Sequence, residues 1–224
     1  DNCSGPAHVV THVSDVTVNQ TCLNRYTLNR TYRSTDACGN SATCVQVITV
    51  FDNTPPVIDP IDPLLDGVPN NGTIEVQCYG QDPEWEPPVF NQSSVQATDN
   101  CTGPITILYD ETLIDEGDCA VDGYINRYRM RWTAIDACGN SSTYTVFLNL
   151  VDHIPPVILG VPADITVNCD EVPGMPTLMA VDECLCACVM ELEQEGPAPG
   201  CQHGQVIIRR WKATDDCGNM TIEE

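Results

Sequence analysis

The sequence predicts an all-β protein built from tandem antiparallel β-sandwiches, and three observations predict it. First, DACGNSATCVQVITVFDNTPPVI at 36–58 returns as DACGNSSTYTVFLNLVDHIPPVI at 136–158, and its CGN core returns at 217–219. Second, Val, Ile and Thr are plentiful beside 17 Pro and 15 Gly, which favours strands and turns over helices. Third, residues 128–134 alternate between two kinds of side chain with a period of two. A phrase that recurs once per domain belongs to a scaffold.

The middle copy of the repeat shows every predicted element in order. In its long strand, Met130 and Trp132 point to one side with Tyr128 and Ala134, while Arg129, Arg131 and Thr133 point to the other, which predicts a half-buried strand. CGN predicts a hairpin turn because Gly and Asn tolerate a positive φ. The diprolines cannot join a ladder and predict stiff linkers. The elements are PPVI (55–58), an early strand IEVQC (74–78, with ITVNC at 165–169 as its later copy), ATDNC (97–101), the long strand (124–136), the CGN turn and the last strand (144–152).

The copies divide the chain into three predicted domains, with bounds at 1–54, 55–153 and 154–224. The first lacks the early strands of the repeat, and the third lacks most of the last strand. Sandwiches without these strands expose open edges. We therefore expect either further repeats in a longer chain or strand addition between neighbouring subunits to cover them.

Charge and length exclude several classes of partner. The chain carries 32 acidic and 9 basic residues, a formal charge of −23. Such a chain repels nucleic acid and anionic lipid, and no apolar run approaches the ~20 residues of a membrane span. The acidity suits hard cations such as calcium, or is simply a solvated surface.

The 14 cysteines indicate a disulfide framework. Their count is even, they recur at repeated positions, and no CxxC pair indicates a zinc site. Disulfides form in oxidising compartments, so we expect an extracellular or cell-surface protein.

The phrases ITVNC, ATDNC, WTAIDACGN and VxDxxPPVI together resemble the hyalin-repeat (HYR-like) branch of immunoglobulin-like domains. That family occurs in tandem in extracellular adhesion and surface proteins. The resemblance covers essentially the whole chain and implies immunoglobulin-like sandwiches in a linear array. Residues 184–201, which carry two extra cysteines, depart from the pattern.

Analogy between the copies suggests a pairing within each repeat, although the sequence cannot fix connectivity. The cysteine of the DNC phrase is expected to form a disulfide with the cysteine of the CGN turn. The cysteine of the early strand is expected to form a second disulfide with a cysteine of the variable loop. For Cys186 and Cys188, the alternative to a disulfide between them is a redox-active CxC motif. The expected pairs are Cys3–Cys38, Cys101–Cys138, Cys184–Cys217, Cys78–Cys119, Cys169–Cys201, Cys22–Cys44 and Cys186–Cys188.

Eight Asn-x-Ser/Thr sequons predict a glycosylated surface in a secretory pathway that attaches N-linked glycans. In a bacterial protein the same residues would only serve turns. The sequons are at Asn2, Asn19, Asn29, Asn71, Asn91, Asn100, Asn140 and Asn219.

Aspartates recur before the diprolines and before the CGN turns, at Asp52 and Asp152 and at Asp36 and Asp136. Carboxylates brought together at a domain junction would hold calcium with backbone carbonyls, as in cadherin junctions, although the full cadherin motif is absent. The alternative is that each side chain caps its own turn.

No pattern indicates an enzyme: the histidines at 8, 12, 153 and 203 form no catalytic motif, and GxSxG and HExxH are missing. The sequence favours a structural subunit of an extracellular fibre that assembles end to end, with no required cofactor. The alternative is an adhesin module that presents variable loops to a carbohydrate or protein, with Trp85 in the loop 79–90 as the stacking residue.

Overall fold

The computed structural model describes residues 9–78, 88–168, 170–184, 188–196 and 206–224, and these are mostly β. The strands are β1 (Val9–Cys22), β2 (Arg25–Thr35), β3 (Ser41–Phe51), β4 (Val57–Pro60), β5 (Gly72–Gln77), β6 (Val95–Thr98), β7 (Thr106–Glu116), β8 (Asn126–Ile135), β9 (Ser141–Val151), β10 (Val157–Leu159), β11 (Met179–Val181), β12 (Val189–Glu195), β13 (Ile208–Thr214) and β14 (Met220–Glu223). A short helix α1 (Cys119–Asp122) precedes β8, and 3₁₀ turns span Pro63–Leu65 and Gln92–Ser94.

The strands form several sheets, ordered β1-β2-β3, β4-β6, β5-β9-β8-β7, β10-β11 and β12-β13-β14. The hairpins β2–β3 and β13–β14 are antiparallel and are joined by CGN turns. β5 instead pairs with β9 in parallel, with Gly72 opposite Val146. Within the described residues no helix has the length and apolarity to cross a membrane.

The chain divides into two compact units, and the first is organised around Trp132. This unit contains the residues up to Gly67 together with Phe90–Asp110 and Arg131–Thr145. The indole of Trp132 is fully buried, lies 5.1 Å from the ring of Tyr109 and 5.7 Å from that of Tyr144, and meets Phe90 edge-on. Its Nε1–H donates to the main-chain oxygen of Asn91, at 2.8 Å. The core is therefore aromatic, and its polar edge is satisfied.

The second unit contains Val68–Val89, Glu111–Met130 and Val146–Glu224. One of its core clusters consists of Ile158, Trp211 and Ala213, with Leu178 and Met190 packed against them. Met130 is also buried. Of the predicted inward set of β8, Met130, Trp132 and Ala134 are therefore confirmed as buried, whereas Tyr128 is only half-buried; Arg131, on the opposite side, is exposed.

One predicted strand is wrong. Residues 165–168 of ITVNC are not in a strand, and Ile165 and Val167 are exposed. The corresponding early strand β5 pairs with residues Val146–Val151 of β9. Residues 165–168 pair with no strand within the described part of the chain.

The sheet β1-β2-β3 presents exposed apolar side chains on one of its faces. The register places Val16 opposite Asn29 and Asn29 opposite Val47, so Val16 and Val47 share a face across β2. Both are at least half exposed, as are Val45 and Phe51 on the same face of β3. The opposite face carries the ion pair of Arg30 with Asp15. We call Val16, Val45, Val47 and Phe51 the apolar face.

Replacing Trp132 with Ala tests the aromatic core. We expect Trp132→Ala to lower the free energy of unfolding by about 3–5 kcal/mol, because it leaves a cavity among three aromatic rings. Urea denaturation of the unreduced protein measures this. The neighbouring exposed change Arg131→Ala is the control and should cost less than about 0.5 kcal/mol. Equal effects of the two changes would contradict this assignment of the core.

Candidate functional sites at the repeat joints

The predicted boundaries between repeats are built from the same parts in both places. We call residues 52–56, 99–101 and 136–140 the first joint, which lies in the first unit. Residues 152–156, 182–184 and 215–219 form the second joint, which lies in the second unit. Each joint combines the Asp before a diproline, the Asp before a DNC-type cysteine and the Asp before a CGN turn.

The CGN turn is held by its own aspartate. Asp136 Oδ1 accepts hydrogen bonds from the backbone N–H groups of Cys138 and Asn140, both at 2.8 Å, and Asn140 Nδ2 donates to Asp136 Oδ2 at 2.7 Å. Gly139 has a φ of 83°, which glycine adopts without strain. The hydrogen bonds recur at Asp36 and at Asp215. At these three turns the aspartate therefore caps its own turn, which confirms that alternative from the sequence analysis.

The same asparagine also ties the turn to the preceding linker. Asn140 Nδ2 donates to the main-chain oxygen of Asp52 at 3.4 Å, and Asn219 Nδ2 donates to that of Asp152 at 3.2 Å. The second prolines of the linkers, Pro56 and Pro156, are fully buried. Because the tie recurs between corresponding residues, it is part of the repeat itself.

The second joint concentrates buried carboxylates. Asp152, Asp182 and Asp215 are each only 6% exposed. Carboxylate oxygens of Asp152 and Asp215 lie within 4.8 Å of each other. Asp182 Oδ1 accepts from the N–H of Cys184 at 2.7 Å, whereas Asp182 Oδ2 is buried without a hydrogen-bond partner. A buried charged oxygen without a partner is costly.

The charges of this cluster act on Asp182. Burial raises the pKa of its carboxyl group, and the negative charges of Asp152, Asp215 and Glu183 raise it further, against the hydrogen bond from Cys184. The carboxyl group of Asp182 therefore gives up its proton less readily than an ordinary aspartate.

The first joint brings a different pair of its aspartates together. Oxygens of Asp52 and Asp99 lie within 4.8 Å of each other and of Cys101 Sγ, Asp136 lines the same pocket, and Asp99 Oδ2 is again buried without a partner. Here, however, Cys101 is a free thiol, and the guanidinium of Arg25 donates to the main-chain oxygen of Asp52 at 2.7 Å. A counter-charge is thus already beside this cluster.

Hydrogen bonding and burial oppose each other at Asp136. Burial acts against ionisation of its carboxyl group, but the hydrogen bonds from Asn140, Cys138 and Gly139 outweigh it and lower its pKa. Asp36, whose largest interaction is the hydrogen bond from Asn40, also has a lowered pKa. These turn aspartates are therefore ionised at neutral pH.

The expected disulfide pairing is wrong for the described cysteines. The bonds are Cys22–Cys138, Cys78–Cys184 and Cys119–Cys217. They replace the expected Cys22–Cys44, Cys101–Cys138, Cys78–Cys119 and Cys184–Cys217. Cys38, Cys44 and Cys101 are free, so the expected Cys3–Cys38 bond is also absent.

The physical reason is that the bonds join one repeat to the next. Cys22 and Cys119 both precede the long strand of their own repeat, and each bonds the CGN cysteine of the following repeat. The hydrogen bond between the CGN turn and the linker brings each of these cysteines close to the CGN cysteine of the next repeat. The spacing of cysteines along the sequence does not reveal this proximity. Cys188 is bonded too, while Cys3, Cys169, Cys186 and Cys201 lie outside the described residues.

The structure brings together only some of the predicted metal ligands. Asp52 and Asp136 line one pocket, and Asp152 joins Asp215. Among the described residues, Asp36 belongs to no cluster of three or more possible metal-ligating side chains. Sequence reasoning missed Asp99 and Asp182, although their place before each DNC-type cysteine recurs. Trp85 lies outside the described residues.

The sequons differ in how accessible their amide nitrogens are. Asn19, Asn71, Asn91 and Asn100 are exposed, and Asn29 is half-buried in β2. The Nδ2 atoms of Asn140 and Asn219 each donate two hydrogen bonds within a joint. Asn2 lies outside the described residues.

Comparison of this chain with protein-family models finds no match, and comparison with curated protein sequences finds none either.

The free thiols give a direct test of the first joint. Burial raises the pKa of the Cys101 thiol, as does its hydrogen bond to Asp52, whereas Cys38 is exposed. We expect maleimide at pH 8 to modify Cys38 at least about tenfold faster than Cys101 in the folded, unreduced chain, because the thiolate is the reactive form. Timed quenching and peptide mass spectrometry measure both rates. Similar rates would contradict the described environment of Cys101.

Proposed function

We propose that the protein is a structural subunit of an extracellular fibre, built from tandem immunoglobulin-like sandwiches similar to hyalin repeats. Subunits join end to end through disulfides and strand addition, and N-linked glycans coat the outside. The observation that carries this proposal is the repeated joint, in which two successive boundaries are locked by the same asparagine tie and by equivalent disulfides.

Such joints favour a mechanical role over a catalytic one. Cys22–Cys138 and Cys119–Cys217 span 116 and 98 residues, so each constrains the unfolded chain by about 4–5 kcal/mol in the entropy model. Each also prevents the bonded turns from separating when the chain is pulled. A covalent tie at each joint suits a protein that transmits tension.

The free cysteines support assembly through the same type of bond. Cys38 occupies the CGN position at which Cys138 and Cys217 are bonded to the preceding repeat. Cys101 occupies the position at which Cys184 is bonded to an early strand. In the fibre, a repeat supplied by a neighbouring copy of the chain provides the partners of both.

The apolar face supports burial against a neighbouring copy as well. Val45, Val47 and Phe51 share one face of β3, and Val16 lies on the same face of the sheet beyond Asn29; groups of exposed apolar side chains mark interaction surfaces. The edges of a three-stranded sheet offer unpaired main-chain groups for strand addition.

Electron microscopy of the unreduced protein, secreted from a eukaryotic host, tests this function. We expect filaments with a regular axial repeat, together with a ladder of covalent multimers on non-reducing electrophoresis. Cys38→Ser should remove the rungs that depend on this thiol, because it deletes the CGN-type acceptor.

Cys44→Ser is the matched control. Cys44 is also an exposed free thiol, but it lies in β3 rather than in a CGN turn. Its loss should leave the multimers unchanged. Discrete monomers from the wild-type chain, or equal effects of the two substitutions, would contradict assembly through the CGN cysteine.

Glycan occupancy should follow the accessibility of the amide nitrogens. In a eukaryotic host we expect glycans at the exposed Asn71 and Asn91 and none at Asn140 and Asn219, because attachment replaces one of the two Nδ2 hydrogens and both are used in hydrogen bonds there. Glycopeptide mass spectrometry before and after enzymatic deglycosylation measures each site. Substantial occupancy at Asn219 would contradict the asparagine tie.

A further inference from the structure

The complete repeat pairs an early strand with a last strand. In that pair β5 lies parallel to β9, with Ile74 opposite Leu148 and Val76 opposite Leu150. β3 occupies the position of β9 in the first repeat, but its ladder is with β2, on one side only. Among the described residues no early strand covers the other edge of β3, and we call this its open edge.

The segment 163–168 is the other half of such a pair. It has the sequence ADITVN where β5 has GTIEVQ, and it joins no strand within the described residues. Ile165 and Val167 are 62% and 43% exposed, whereas the corresponding Ile74 and Val76 are half-buried in β5. A segment rich in β-branched residues and without a ladder is available for pairing with an open edge.

The open edge of β3 lacks the features that normally keep an edge strand from pairing. Its 11 residues include no charged side chain and no proline, and its register with β2 is unbroken. The opposite edge strand, β1, carries Asp15 and has two irregularities in its register. Charges, prolines and bulges protect the edges of natural sheets, so β3 is the unprotected edge of this one.

The pairing of β5 with β9 shows which main-chain groups a strand on β3 would use. The N–H of Cys78 donates to the main-chain oxygen of Val151 at 3.0 Å. Because main-chain groups alternate between the two sides of a strand, the N–H of Val76 also points to β9. At the corresponding positions, the N–H of Val167 is the donor of the segment, and the main-chain groups of Thr49 point to the open edge.

We propose that residues 163–168 of one copy of the chain add to the open edge of β3 in a second copy, as a parallel strand in the register of β5 on β9. Ile165 then lies opposite Ile48, and Val167 opposite Val50. Each copy offers one segment and one edge, so this head-to-tail contact continues from copy to copy as an open array. The inference rests on the proposed fibre and names the contact that joins its subunits.

Two proline variants separate the segment from the edge. Val167→Pro removes the donor of the segment, and Thr49→Pro removes an N–H at the open edge while leaving the ladder with β2 in place. Each variant alone should remain monomeric at a concentration at which the wild-type chain forms multimers. An equal mixture of the two should form a dimer and nothing larger, because only one segment and one edge are intact. Sedimentation velocity of the unreduced proteins measures these masses.

Thr166→Pro is the matched control for the segment. In the proposed register its N–H points away from β3, so proline at this position should leave the multimers unchanged. Multimers that persist in Val167→Pro, or equal effects of the two substitutions, overturn the inference. Filaments that persist in Val167→Pro would leave the proposed fibre standing without this contact.

A synthetic peptide makes the test independent of assembly. A fluorescein-labelled peptide of residues 162–168 is titrated against the Val167→Pro chain, whose open edge is intact and unfilled. We expect saturable binding in fluorescence anisotropy, at least about tenfold weaker when the peptide carries Val167→Pro and within about twofold when it carries Thr166→Pro. The chain with both Val167→Pro and Thr49→Pro should bind the wild-type peptide at least about tenfold more weakly.

The peptide also decides the inference if Thr49→Pro fails to fold. No binding of the wild-type peptide up to about 1 mM, or equal binding of the three peptides, overturns the pairing. If the wild-type chain stays monomeric while the peptides bind in the expected order, the proposed fibre is wrong but the pairing of this segment with β3 is supported.

Discussion

The joints depend on one side-chain amide, that of the asparagine that ends each CGN turn. Asn140 and Asn219 close their own turns through an aspartate and, with the same Nδ2 atom, hold the main-chain oxygen of the preceding linker. An amide nitrogen carries two hydrogens, and both are used. Because a turn and a linker are joined at a single atom, the residues on either side cannot move independently. The buried prolines, the repeat-to-repeat disulfides and the carboxylate clusters are all assembled around this contact.

This arrangement has an electrostatic cost. The turns need aspartates to collect their N–H groups, and the linker brings a further aspartate to the same place, so ionised oxygens accumulate where water is scarce. Hydrogen bonds offset the cost at Asp136, whereas Asp182 keeps an unpaired oxygen and a raised pKa. The first joint partly compensates through Arg25. The two joints therefore share the asparagine tie but differ in charge balance.

Away from the joints, the sheets differ in how well their apolar side chains are covered. In the aromatic cluster around Trp132 the rings pack against one another and the indole N–H is hydrogen-bonded. The cluster around Trp211 is aliphatic apart from that ring, and Nε1 of Trp211 is buried without a hydrogen-bond partner. The sheet β1-β2-β3 instead leaves Val47 and Phe51 in contact with solvent. Exposed apolar groups of this kind lower the free energy of association when another surface covers them. A role in assembly is consistent with the buried core clusters and with the exposed apolar face.

The sequence by itself determined the local structure. The period-two pattern of β8 gave its buried face, and CGN gave the hairpins, because both follow from interactions within a few residues. The repeat also indicated that aspartates and cysteines would matter at the boundaries. Only the tertiary structure decided which of them meet: Cys22 bonds Cys138, 116 residues away, and carboxylate oxygens of Asp152 and Asp215 lie within 4.8 Å of each other. It also left residues 165–168 without the strand that their pattern predicted. Long-range contacts depend on how chain segments pack, and a pattern read along one segment carries no information about its partner.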